Sequence, residues 1–350
     1  MVALAAHNRA PYKTVITHGW TVDGEGKAMH KSSGNAISPN EVTDKSGAEI
    51  LRLWVASSDY QEDVRLSEEI LKRLVDAYRK LRNTARYALG NISDFDTQVD
   101  AVAESEMWEI DRWALAATRD MARKVIDAYK RFEYTTVYHT LYNYATVTLS
   151  AVYIDILKDR LYTFAPKSAG RRSAQTALAQ IVDTFARLLA PVLAFTADEI
   201  WESLPGKREP SVHLAEFANA EAHAGDARLL KEWDVREGGL LYVRGLVQQE
   251  LERMRNEKVI GASLEAKITL EVPESTFSLL KKYEEHLPAI FIVSHVRLIE
   301  TVAPGITVKV EHAEGAKCER CWHWSNTVGA DARFPTIDAR CVRQLEEGWL

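Results

Sequence analysis

Between residues 67 and 201 apolar side chains recur at three- and four-residue steps, the period of helices that bury one face. In the first of these stretches Leu71, Leu74, Val75, Tyr78, Leu81, Ala85 and Leu89 form the stripe, and Ser67 stands where an N-cap belongs. The same period over 106–130, 136–161 (with room for an interruption), 172–190 and, past Pro191, 194–204 predicts a helix bundle. The charged stretch 226–257 reads as one long helix. The period then changes to two. Residues 266–272 and 306–310 alternate as strands, 294–299 predicts a third, and 275–283 a helix between them, together a small α/β domain. Ahead of the bundle, residues 13–17 alternate around Val15 as a strand, and 19–24 turn into a short second one. Residues 24–35 form a loop rich in glycine and serine. Ser38, Pro39 and Glu41 then give a capping-box start for a helix ending near Gly47. A second helix over 48–56, with Ile50, Leu51, Leu53, Trp54 and Val55, is too apolar to be exposed. Trp54, Trp108, Trp113 and Trp201 sit on apolar helical faces and are expected in the core.

A chain of 350 residues predicts two or three domains, and 46% hydrophobic with 27% charged residues is the balance of a packed protein. These figures exclude disorder, collagen-like repeats and a small disulfide scaffold. The longest apolar stretch, 188–195, is broken by Pro191 and cannot span a bilayer. With three cysteines and no cationic, apolar start, the expected location is the cytoplasm. The net charge of −6 hides one basic face: residues 65–86 hold seven Lys and Arg against three acidic residues. Lys72, Arg79 and Arg86 share a helix face at seven-residue spacing, with Arg82 nearby. Such a face can neutralise nucleic-acid phosphates, or it can be solvated and paired within the chain.

Two segments suggest further chemistry. The loop 24–35 carries Lys27, Lys31, Ser32 and Ser33 between glycine hinges, a composition able to close over a polyphosphate or to stand solvated at the surface. Near the end, Cys318 and Cys321 at C-x-x-C spacing are followed by Asp338 and Cys341. Three sulfurs can wrap a structural zinc ion, with Asp338 or His323 as fourth ligand.

The loop segment Met29-His30-Lys31-Ser32 with Gly34-Asn35 resembles the lysine signature loop of class I aminoacyl-tRNA synthetases. Residues 11–13, 17–24, 47–57, 82–87, 191–201 and 261–266 and the Cys-Glu-Arg-Cys-Trp-His run at 318–323 resemble the isoleucyl-tRNA synthetases in particular. These blocks lie in order over essentially the whole chain. The resemblance implies that Lys27, Met29, His30, Lys31 and Ser32 face ATP, bound with Mg²⁺, and that Lys31 is the catalytic phosphate ligand. Ala28 and His30 stand where the family has its first lysine and first serine, so Lys27 is expected to restore part of the charge.

Lys72, Arg79, Arg82 and Arg86 are expected on the tRNA for isoleucine, and Arg320, Trp322, Arg340 and Arg343 near it. The family's two C-x-x-C knuckles imply Zn²⁺ held by Cys318, Cys321, Cys341 and Asp338, the last in place of a cysteine. The expected fold class is therefore mainly α. Residues 1–64 are the remnant of a Rossmann-type catalytic domain and 65–225 an anticodon-binding helix bundle. A long helix and small α/β domain fill 226–311, and a zinc-finger-like segment 312–350. His18-Gly19 is followed by Trp20, and none of the ten histidines makes the family's ATP-binding His-x-Gly-His motif. The chain thus reads as a C-terminal part, inactive alone, whose partner is a nucleotide-binding half from the same gene or another chain. A valyl- or leucyl-tRNA synthetase relative and a non-catalytic tRNA-binding or zinc scaffold protein are the competing expectations.

Overall fold

The computed structural model describes residues 2–348, except the side chain of Lys31. Helix α1 (Val2–His7) has no buried residue. The strand expected over 13–17 is not formed, and Val15 is exposed. Val15 and Ile16 have no neighbouring strand there to satisfy the backbone, and an unpaired strand does not persist. Strand β1 (Thr21–Val22) does form, pairing in parallel with β2 (Val64–Arg65).

Between them lie α2 (Pro39–Ser46) and α3 (Ala48–Ser57). Ser38 precedes α2 in extended conformation but its side chain makes no capping bond. Pro39 starts the helix instead, because its missing N–H removes one orphan donor. Gly47, at φ +87°, closes α2 and opens α3. Helix α3 turns Ile50, Leu53 and Trp54 inward, whereas Val55 stays half exposed.

The bundle begins with α4 (Glu68–Asn91), where Ser67 Oγ accepts from Ile70 N at 3.3 Å as the sequence predicts. It continues with α5 (Glu109–Lys130), α6 (Tyr134–Asn143), a π-helical segment (Tyr144–Ile154), α7 (Asp155–Thr163), α8 (Ala169–Leu189) and α9 (Ala194–Glu202). The expected interruption of 136–161 is thus a widening rather than a break. In an α-helix Tyr144 and Tyr153 would point to opposite sides, two and a half turns apart. The wider i→i+5 turn brings both toward α5. There Tyr144 Oη lies 2.5 Å from Thr118 Oγ1, and Tyr153 Oη donates to Asp111 Oδ1 at 2.8 Å. Asp111 is fully buried and also receives Arg160 Nη1 at 2.9 Å and Nη2 at 2.6 Å, and Ser173 Oγ at 2.5 Å. A buried charge fully paired in this way fixes how three helices meet.

The helix expected over 226–257 is two helices, α10 (Asp226–Glu232) and α11 (Leu240–Asn256). Gly238, at φ +91°, and Gly239 break the path, and the Asp234 carboxylate turns back to accept from Arg236 N at 2.9 Å. The break lets Trp233 stack on Trp113 of α5 at 4.9 Å, joining this segment to the bundle core.

Strand β3 (Ala266–Val272) follows, then α12 (Glu274–Lys282), α13 (Leu287–Phe291), β4 (His295–Glu300) and β5 (Thr307–His312). The sheet order is β4-β3-β5, parallel on one side and antiparallel on the other. β3 alternates strictly, with Ala266, Ile268, Leu270 and Val272 fully buried. One apolar core runs from Ile50 to Val293.

The terminal segment has β6 (Ala316–Lys317), β7 (Trp324–Ser325) and α14 (Ala339–Gly348) around a separate small core. It docks on the bundle and the sheet. Arg340 grips Asp159 of α7, Gln344 Oε1 accepts from Ala165 N at 2.7 Å, and Trp324 N donates to Ser294 Oγ at 2.7 Å. Among the described residues no helix is long and apolar enough to cross a membrane.

Candidate functional site

The loop after β1 is latched by two short polar side chains. Asp23 Oδ1 accepts from Glu25 N at 3.0 Å and Lys27 N at 2.9 Å, and Asp23 Oδ2 accepts from Asn35 Nδ2 at 2.8 Å. Asn35 Oδ1 accepts in turn from His30 N at 3.0 Å. The Asn35 amide, then the Lys27 and Glu25 amides, hold the Asp23 carboxyl below its ordinary pKa, so the latch is intact at neutral pH. Gly26 takes φ +87° at the tip. A 3₁₀ turn, Lys31–Ser33, ends the loop, and the Lys31 side chain lies outside the described residues.

Among the residues expected to face ATP, Lys27, His30 and Ser32 are exposed, with Lys27 Nζ 2.7 Å from Glu25 Oε2. Met29 differs. It is partly buried against the apolar core, and this contact anchors the loop. Ahead of the loop in the chain two large aromatic side chains stand in solvent, Trp20 at 81% and Tyr12 at 62% exposure.

On α4, Lys72, Arg79 and Arg86 reach solvent as the spacing requires. Arg79 has only a local pairing with Asp76 at 3.3 Å, and neither Lys72 nor Arg86 has an ion-pair partner among the described residues. Arg82 is placed differently from the other three. Its guanidinium is half-buried and donates both Nη1 and Nη2 to the Glu199 carboxylate of α9 at 2.5 Å, which raises its pKa and lowers that of Glu199. A planar fork already matched to a carboxylate belongs to the helix packing.

Arg86 borders an open groove of about 520 Å³ with Asn83, Tyr87, Asn91 and Tyr162. Tyr162 also lines a second groove of about 420 Å³, whose far wall carries Arg320, Trp322 and His323 of the terminal segment. Trp322 is 61% and Tyr162 58% exposed, and Lys317 Nζ lies 5.7 Å from the Trp322 ring centroid. Exposed rings beside cations and amides make a surface on which unpaired bases can stack. Of the terminal residues expected near RNA, Trp322 and Arg343 are exposed, whereas Arg320 donates to Thr163 O at 3.2 Å and Arg340 is committed to Asp159. The sequence left out Tyr162, because its neighbours Tyr87 and Trp322 are distant along the chain and meet it only through tertiary packing.

Cys318, Cys321, Asp338 and Cys341 are all buried, and their ligand atoms lie within 4.8 Å of one another. The turn at Trp322, with φ +66°, lets Trp322 N return to Cys318 O at 2.9 Å and sets both thiols on one side. The Cys318 and Cys341 sulfurs are 3.8 Å apart, the edge of a tetrahedron with zinc–sulfur bonds of ~2.3 Å. Asp338 Oδ2 lies 3.2 Å from Cys321 Sγ, while Asp338 Oδ1 accepts from Cys341 N at 2.7 Å, a bond that aims the carboxylate. His323 stands outside the group, its Nδ1 3.2 Å from Cys321 O. The residues fit a tetrahedral, thiolate-rich metal site with Asp338 as the fourth donor.

Comparison with known proteins gives a consistent set. Residues 111–270 match the model of the anticodon-binding domain of tRNA ligase, and residues 1–67 that of the tRNA synthetases class I (I, L, M and V). An isoleucine–tRNA ligase of Syntrophotalea carbinolica is 49% identical over 99% of this chain and 38% of its own length. Those of Geobacter sulfurreducens and Symbiobacterium thermophilum are 44% and 46% identical, over 99% and 97% of this chain and 38% and 37% of their own. A leucyl-tRNA synthetase from Agrobacterium radiobacter K84, solved as a ternary complex with tRNA, is 14% identical with a TM-score of 0.47, over 84% of this chain and 32% of that one. The chain thus spans about 38% of the length of the curated relatives it matches.

Proposed function

Because the chain belongs with the isoleucine–tRNA ligases in their C-terminal part, we propose that it supplies the phosphate-facing loop and the tRNA-binding domains of such an enzyme. The observation that carries this reading is 49% identity to an isoleucine–tRNA ligase over 99% of the chain. In the reaction, the carboxylate of isoleucine attacks the α-phosphate of Mg²⁺-bound ATP. Pyrophosphate leaves, and the aminoacyl group passes from the adenylate to the terminal ribose of tRNA.

The loop at 23–35 contributes Lys31 to the charge that builds on the departing phosphates, with Lys27 beside it, an electrostatic role that needs no proton transfer. The Asp23–Asn35 latch supports this by holding the loop's base while its glycines let the tip close. The nucleotide-binding half, which covers the apolar surface around Tyr12 and Trp20, is the partner this chain works with. The division of labour is residues 1–64 for the loop, 65–225 and 226–311 for holding the tRNA, and 312–350 as a segment stapled by zinc. The zinc is structural, because four protein ligands leave no open position.

Lys72, Arg79 and Arg86 neutralise phosphates. The two grooves meeting at Tyr162 take bases splayed from the anticodon loop, where Tyr162 and Trp322 offer stacking faces. Each phosphate contact removed lowers the slope of log affinity against log salt by about one unit. Lys72→Ala and Arg86→Ala are expected to do so singly, and additively when combined, in a titration of tRNA binding from low to physiological salt. An unchanged slope in the double variant would move the RNA off this face. The purified chain alone is expected to show no isoleucine-dependent pyrophosphate exchange; exchange at a measurable rate would overturn the proposed division of labour.

A further inference from the structure

At the corner between α8 and α9, α8 closes on local backbone bonds, with Val192 N and Leu193 N donating to Leu189 O, but α9 has no capping side chain of its own. Helix α9 starts behind Leu193, whose side chain can accept nothing, and Ala190 at the end of α8 is followed by Pro191. The start of α9 and the carbonyls of the short link behind it are satisfied from α3, about 140 residues earlier in the chain. The Glu49 carboxylate, only 9% exposed, accepts from Phe195 N at 2.9 Å, from Thr196 N at 3.0 Å, and from the Thr196 hydroxyl. Arg52, one turn further on, donates from Nε to Val192 O at 2.8 Å and from Nη2 to Pro191 O at 2.7 Å. A single turn of α3 therefore sets a negative group on the N-terminus of α9 and a positive one on the carbonyls that follow α8. These are the signs that the two helix dipoles favour.

The two ends of this grip lead to the two surfaces described above. On one side, Trp54 Nε1 of α3 donates to Arg65 O of β2 at 2.9 Å, and β2 pairs with β1, from which the loop departs. On the other, α9 holds Tyr78 Oη through Thr196 Oγ1 at 2.9 Å and Arg82 through Glu199, both on the helix with the basic face. The apolar side chains Ile50, Leu53 and Trp54 keep α3 against the bundle, but apolar contact has little directionality. The carboxylate and the guanidinium fork do have direction.

From this geometry we infer that Glu49 and Arg52 are positioning residues, which set the angle between the loop-bearing segment and the helices of the basic face. The purpose of that angle, to keep the ATP loop in register with bound tRNA, rests on the proposed function; the grip itself does not.

The test is a distance measurement on the full 350-residue chain. Spin labels are placed at Ser33, in the loop, and at Val99, exposed on the bundle, through click-reactive residues that leave the three cysteines untouched. The native pair is expected to give one narrow distance distribution. Glu49→Ala combined with Arg52→Met should at least double its width, while helical circular dichroism and the tRNA dissociation constant stay within about twofold, since no residue of the basic face is altered. Arg52→Lys, able to restore one of the two carbonyl bonds, should fall between. Tyr78→Phe, which removes a contact to the same Thr196 without touching α3, should keep the native width. An unchanged width in the double variant would overturn the inference. If that variant loses its helical signal, Arg52→Met alone decides, on the same two results. A native chain that does not bind tRNA would defeat the function proposed above and leave the distance result standing.

Discussion

Replacing Cys341 by serine is expected to empty the terminal segment of zinc and unfold it while the upstream helices stay folded. The separate core there consists of Cys318, Cys321, Ile337, Cys341 and Val342, with Val328, Phe334 and Leu345 packed alongside. That is too little apolar surface to order a segment of this length. Burial pushes the Asp338 carboxyl above its usual range, so its charged form is disfavoured there without a cation beside it. Structural zinc in comparable small segments contributes roughly 10–16 kcal/mol of apparent binding free energy at neutral pH.

The native chain is expected to carry about one zinc per molecule by elemental mass spectrometry, and Cys341→Ser less than about a tenth of that. Amide exchange should rise over residues 316–348 and stay slow in α5 and α8. Asp338→Ala should weaken zinc binding at least ~10-fold, whereas His323→Ala should leave it within about twofold. Full zinc affinity in Asp338→Ala would remove that residue from the ligand set.

The second large effect lies in the bundle. Arg160→Met is expected to cost about 3–5 kcal/mol, because it leaves the buried Asp111 carboxylate without its countercharge. Tyr153 and Ser173 still donate to Asp111, but two neutral hydroxyls do not replace a bidentate guanidinium. Adding Asp111→Asn should recover part of the loss, since the uncompensated charge, rather than the missing contact, dominates the penalty. Urea unfolding followed by the helical signal gives the answer as a lower midpoint at unchanged slope. A loss below about 1 kcal/mol for Arg160→Met would mean that solvent reaches Asp111 and that the pair is not structural.

What could be read from the sequence followed from periodicity and local chemistry. The stripe from Leu71 to Leu89, the Ser67 cap and the alternation of β3 are properties of neighbouring residues, and each forms where the pattern places it. The C-x-x-C spacing and the position of Asp338 likewise sufficed to propose one ligand group, although only the fold separates Asp338 from His323. The misreadings have a common cause. Residues 13–17 have strand character without a strand to pair with, and 226–257 has helix character that Gly238 and Gly239 interrupt so that Trp233 can reach Trp113. The pairing of Arg82 with a carboxylate 117 residues away is a different case, a contact that leaves no local trace in the sequence. The groove at Tyr162 and the grip of Glu49 and Arg52 on the α8–α9 corner have no local signature at all, because each is made by segments far apart in the chain.

The central claim, that this chain holds the tRNA of an isoleucine–tRNA ligase, is tested most directly by fluorescence anisotropy with labelled transcripts. Isoleucine tRNA is compared, at one fixed salt concentration, with the same tRNA carrying an exchanged anticodon. Each misread base typically costs about 1–3 kcal/mol, so the exchanged anticodon should bind at least ~10-fold more weakly. Equal affinity for the two, or no binding of either at low salt, would contradict the account.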